Sequence, residues 1–157
     1  MIFPFEITYK KKLTGEIENY STLDILDFAK KDFEESGAIK VKLNDGLLIA
    51  ENPFGYIGIR RGLNWNRWIG VSKASMMIVE STNNRVANYK FSLLRIWIVG
   101  AISGFLFWGL SQDYWAGIAA FGVLGFLNWI GKLIQHWITF DGTFGDLIYE
   151  AKRTNRV

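Results

Sequence analysis

An α+β domain followed by a two-helix membrane hairpin is the fold class this sequence predicts, and three observations carry it. Leu93 to Leu110 and Tyr114 to Gly131 are apolar runs of 18 residues each, separated only by Ser111, Gln112 and Asp113. As helices, such runs match the roughly 30 Å hydrocarbon core of a bilayer. Most of the charge lies before them, in residues 1–91, where alternating apolar positions are interrupted by one amphipathic stretch. A β-α-β-β order continuing into mostly antiparallel strands implies a small antiparallel sheet with one main helix.

The first strand is expected from Ile2 to about Lys10, because Phe3, Phe5, Ile7 and Tyr9 alternate with polar or small residues. Thr14-Gly15 breaks it. A helix follows, with Ser21 as the cap, Asp24 placed like the acid of a capping box, and Gly37 beyond its end. Leu23, Leu26, Ala29 and Phe33 line one face of that helix, and Asp27, Lys30, Lys31 and Glu34 cover the other. Ala38 to Leu43 and Leu47 to Glu51 then flank Asn44-Asp45-Gly46, whose Asp-Gly pair signals a hairpin. Beyond Pro53 and Gly55, further strands are expected at Tyr56 to Arg60, Trp68 to Lys73 and Ser75 to Glu80. Thr82-Asn83-Asn84 turns the chain into a last strand, Arg85 to Ser92, which runs almost directly into the first apolar span.

The expected division is therefore a domain over 1–91, a hairpin over 92–139 and a tail over 140–157. The spans cover about 93–110 and 114–133, with the second helix continuing to about 139. In the tail, Asp141 to Asp146 is expected to turn, since it lacks the alternating carboxylates and terminal Glu of a calcium loop. Leu147 to Arg153 is then a candidate short amphipathic helix.

All 18 Lys and Arg lie outside the loop between the spans, the nearest being Arg85, Lys90 and Arg95 on one side and Lys132, Lys152 and Arg153 on the other. Basic flanks stay in the cytoplasm, so both termini are expected there, at the inner membrane if the source is a bacterium. Aromatic residues fit this orientation: Trp108 and Trp115 fall near the outer boundary, and Trp97, Trp129 and Trp137 toward the inner one. Arg95 and Lys132 sit about one turn inside the cytoplasmic ends, from where their charges reach the interface. With no linker after Phe91, the domain should lie against the inner leaflet. Trp65 and Trp68, with nearby Arg60, Arg61, Arg67 and Lys73, are then candidates for membrane or partner contact, and packing in the domain core is the equal alternative for the two rings.

Two faces of the hairpin stand out. Gly100, Ser103, Gly104, Phe107 and Ser111 share one side of the first span and include a GxxxG pattern, which permits close helix approach, either to the second span of the same chain, where Gly125 is also a packing candidate, or to another subunit. On the second span Gly125, Asn128, Lys132, Gln135, His136 and Thr139 fall in one sector at 3.6 residues per turn, a polar stripe toward the cytoplasm. Three readings fit the stripe: the helix emerges from the bilayer near Lys132, leaving only Asn128 at depth; the stripe packs on another subunit; or it lines an oligomeric aqueous path.

The absence of cysteine excludes disulfides, thiolate metal sites and a Cys nucleophile, and a single histidine removes His-cluster metal sites. No P-loop, dinucleotide fingerprint, zinc motif or nucleophile elbow occurs, so no cofactor and no catalytic residue is expected. Nucleic acid is not expected as a partner either, since no recognition motif accompanies a net charge of only +3. The expected partners are the lipid bilayer and either further copies of the chain or other membrane subunits. A non-enzymatic membrane anchor or complex subunit is the leading expectation. An oligomeric channel, transporter component or pore-forming effector lined by the polar stripe is the alternative.

Overall fold

The computed structural model describes residues 5–52, 68–81 and 84–154. Among the described residues, five strands form one antiparallel sheet: β1 (Glu6–Leu13), β2 (Lys40–Asn44), β3 (Leu47–Glu51), β4 (Lys73–Ser81) and β5 (Asn84–Ser92). Their spatial order is β1-β5-β4-β3-β2. The fold is α+β, as the sequence implies. Residues Tyr56 to Arg60, an expected strand, lie outside the described residues.

Local sequence explains most of the elements. Asp45 and Gly46 both take positive φ between β2 and β3, the backbone that a two-residue hairpin of the strand-compatible hand requires. The helix α1 (Thr22–Glu35) starts on a complete capping box, with Ser21 and Asp24 satisfying each other's backbone amides. Its buried face comprises Ile25, Leu26, Ala29 and Phe33, while Leu23 is exposed. Leu23 had been expected on the inner face. It occupies the first turn, and a rotation of about 200° from Leu23 to Ile25 puts only one of the two on the sheet.

Trp68 departs further from its expected role. In place of a strand beginning there, the chain turns at Trp68 to Gly70, with the Val71 amide donating to the Trp68 carbonyl and Gly70 at φ +82°. The strand starts only at Lys73, and the Trp68 ring is fully buried.

The apolar runs form α2 (Leu94–Ser111) and a second, longer helical rod. The rod comprises α3 (Tyr114–Phe121), a wide π-helical turn (Gly122–Leu127) and α4 (Asn128–Thr154). Gln112 in the left-handed region ends α2, and the Asp113 carboxylate accepts the Trp115 amide to start α3. Both helices are long and apolar enough to cross a membrane. The rod does not stop at 139, and no turn occurs at Asp141 to Asp146. Phe140, Phe144 and Leu147, spaced four and three residues apart, are buried and continue the apolar seam. Burial worth about 1.5–3 kcal/mol per such side chain outweighs the roughly 1 kcal/mol lost at each of Gly142 and Gly145.

The sheet therefore carries two helices on one face. The helix α1 covers β2, β3 and β4, and α4 covers β1 and β5. The second covering helix is the end of the second apolar run.

Candidate functional site

The polar stripe and the glycine face meet different surroundings. Lys132, Gln135 and His136 are buried, and Asn128 is exposed. Asn128 keeps its angular place on α4, about 40° from Lys132 at roughly 100° per residue, but it stands at the first position of that helix, one turn before the buried Lys132. Trp129, the next residue, is buried, and its ring packs 5.8 Å from Trp97.

Below that turn, α4 docks on β1 and β5 through a stack of rings. His136 lies parallel to Phe91 at a centroid distance of 4.2 Å, and its Nδ1 is 2.8 Å from the Tyr89 hydroxyl. Phe140 stacks on Tyr89 at 5.4 Å. The Tyr9 hydroxyl donates to the Leu133 carbonyl at 2.8 Å, and burial pushes its pKa up to about 12. Lys132 Nζ donates to Gln135 Oε1 at 2.8 Å, one turn along the same helix. Farther along, Thr143 Oγ1 lies 2.9 Å from Asp32 of α1, and Lys11 pairs with Asp141 across the sheet edge.

Trp68 closes the seam between α1 and α4. Its Nε1 donates to Ser36 Oγ at 2.8 Å, and its ring meets Phe33 at 5.0 Å and His136 at 6.0 Å. The expected place of Trp68 at the membrane surface is therefore corrected. A large ring with its one donor satisfied inside a three-element junction gains more from that burial than from a headgroup layer. Trp65, expected beside it, lies outside the described residues.

The glycine face joins the two spans of the same chain. A Cβ on Gly100 would sit 2.6 Å from Gly125 Cα, and one on Gly117 would sit 2.8 Å from the Gly104 carbonyl oxygen. Gly117 had not been singled out, although it recurs eight residues before Gly125 on the same helix. Ser103 is half-buried beside this crossing, whereas Phe107 and Ser111 are exposed. The close face runs instead through Trp108, whose Cβ approaches Gly117.

Trp108, Trp115 and Trp137 are at least half exposed, and Arg95 is half-buried at the start of α2. Trp97 is also half-buried, its ring set between Phe5, Phe121 and Trp129. Among the described residues, no group of three or more His, Asp or Glu side chains is placed to hold a metal ion. No family model, curated protein or solved structure matches the chain.

Proposed function

We propose that the chain is a two-span membrane subunit without enzymatic activity, whose domain faces the cytoplasm and presents a surface for partner proteins or further copies. The observation that carries this reading is the second rod. Its first part, from Tyr114 to Leu127, exposes Trp115, Ile118, Val123, Leu124, Phe126 and Leu127, while its continuation is buried under the sheet through His136, Phe140, Phe144 and Leu147. Water penalises the first surface and lipid would satisfy it. One helix then belongs to both the bilayer and the domain, so a load or partner on the domain acts directly on the tilt of the hairpin.

The arrangement of basic residues supports cytoplasmic termini. An aqueous path lined by Lys132, Gln135 and His136 has less support, because all three side chains are buried within the chain itself. Mild-detergent purification with cross-linking and mass determination tests the proposal. Homo-oligomers or a reproducible membrane-protein partner are expected. A strictly monomeric protein that cross-links to nothing would contradict the subunit assignment.

A further inference from the structure

The sheet face opposite α1 and α4 bears a cleft of about 410 Å³ lined by Glu6, Ser72, Lys73, Ser75, Lys90 and Ser92. Strand register explains the cluster. Ser75 lies opposite Lys90 and Glu6 opposite Ser92, so β1, β5 and β4 deliver their polar side chains to one face. Lys90 pairs with Glu6 at 2.8 Å and Lys73 with Glu51 at 3.3 Å, which draws both ammonium groups toward this face. The Lys90 hydrogen bond holds the Glu6 carboxyl below the ordinary carboxylate range. Three hydroxyls and two ammoniums face one hollow, with a carboxylate at its edge.

Position gives the cleft its meaning. Ser92 precedes the first residue of α2 by two positions, and the Ser72 amide donates to the Ser92 carbonyl. If α2 crosses the bilayer, the cleft lies within a few ångströms of the plane where hydrocarbon gives way to headgroups, a layer about 5–8 Å deep on each side. Phosphate oxygens favour clustered lysine and hydroxyl donors, and an ammonium favours a carboxylate acceptor. We propose that this cleft binds the phosphoethanolamine headgroup of an inner-leaflet phospholipid, with Lys73, Lys90 and the serine hydroxyls on the phosphate and Glu6 on the ammonium. The inference rests on the membrane reading above and adds a ligand to it.

Native mass spectrometry of the detergent-purified full chain, titrated with phosphatidylethanolamine or phosphatidylglycerol, tests it. Phosphatidylethanolamine adducts should dominate and fall at least tenfold in a Lys73→Gln/Lys90→Gln variant. Lys10→Gln/Lys12→Gln, an equal charge change at exposed positions of β1, should leave them intact. Glu6→Gln should erase the preference between the two lipids. Equal adducts in the wild type and the Lys73/Lys90 variant would overturn the site, as would equal binding of the two lipids by the wild type. Displacement by soluble glycerophosphoethanolamine at equimolar concentration would place the ligand in solution and overturn the lipid assignment. Carbonate extraction separates the two levels: release of the chain from membranes removes the membrane reading itself, whereas retention without lipid discrimination removes only the headgroup site.

Discussion

The two parts of the second rod solve opposite problems with one backbone. From Tyr114 to Leu127 the helix is apolar around most of its circumference, and its inward contacts are backbone against backbone at Gly117 and Gly125. From Asn128 onward it is amphipathic, and its inward contacts are rings: Trp129, His136, Phe140 and Phe144. On the membrane reading proposed above, the difference follows from what drives association in each setting. Among apolar surroundings no hydrophobic gain favours one helix over another, so close approach and van der Waals contact must hold the pair. Against a sheet in water, buried area does the work and large side chains serve best. The π-helical turn lies where one regime gives way to the other.

Substitutions at the two contact types should therefore fail differently. Trp68→Ala removes a fully buried ring from the junction of α1, α4 and the sheet, and should lower the stability of the domain by about 3–5 kcal/mol. Chemical denaturation followed by fluorescence reads the effect, and a loss under 1 kcal/mol would remove Trp68 from the core. Phe144→Ala should behave alike, because it is equally buried.

In the hairpin, size should matter and hydrophobicity should not. Gly100→Ala meets the Gly125 backbone at 2.6 Å and should cost about 1–3 kcal/mol as the helices part. Gly125→Ala meets Gly100 Cα at 3.5 Å, an ordinary contact, and Gly109→Ala meets nothing, so both should be nearly silent. Disulfide trapping between cysteines introduced on the two spans reports the separation. Equal effects of Gly100→Ala and Gly109→Ala would break the contrast.

Tyr89→Phe deletes the hydroxyl opposite His136 Nδ1 while keeping the ring stack, and should cost about 1–3 kcal/mol by leaving a buried nitrogen without that partner atom. The smallest effect belongs to the rim. Lys11→Met breaks the pair with the exposed Asp141 and should change stability by about 0–1 kcal/mol, decreasing with added salt. Glu6 is also peripheral, and its lowered pKa sets the sign of its contribution. The stabilisation is present above the ordinary carboxylate range and is lost as pH falls through the lowered value. An acid titration of the Lys90→Gln variant should show that contribution reduced.

The sequence makes some of this legible and hides the rest for identifiable reasons. The Asp45-Gly46 hairpin and the Ser21 capping box are local: a few residues demand one backbone geometry, and the structure has it. The alternation of Ala87, Tyr89 and Phe91 likewise marks the inner face of β5, because a strand facing a core on one side repeats every two residues. The sequence leaves Trp68 between membrane and core, because an aromatic ring flanked by Asn and Arg suits a headgroup layer and a core equally well, and only tertiary contact with Ser36 and Phe33 separates them.

The stretch Asp141 to Asp146 was read as a turn from its glycines and aspartates. Its helical state is decided by Phe140 and Phe144, whose partners Tyr9 and Lys11 lie some 130 residues away. Helical periodicity groups Asn128 with Lys132 and Gln135, but it does not tell how far along the helix the covering elements reach, so it does not separate the exposed Asn128 from its buried neighbours. Within the candidate site, helical projection places Lys132, Gln135 and His136 on one side, but it cannot reveal that His136 packs on Phe91 and Tyr89 of the chain's own sheet.

The central claim is that one continuous helix passes from lipid into the core of the domain. Because the chain contains no cysteine, single-cysteine labelling in native membranes tests it without background. Cysteines at Leu124 and Leu127 should resist a water-soluble maleimide but admit a lipid-soluble probe. A cysteine at Asp141 should react readily with the maleimide, and one at Phe144 should react with neither until the domain unfolds. Maleimide labelling at Leu124 and Leu127 in the folded protein, together with reaction at Phe144, would contradict the account.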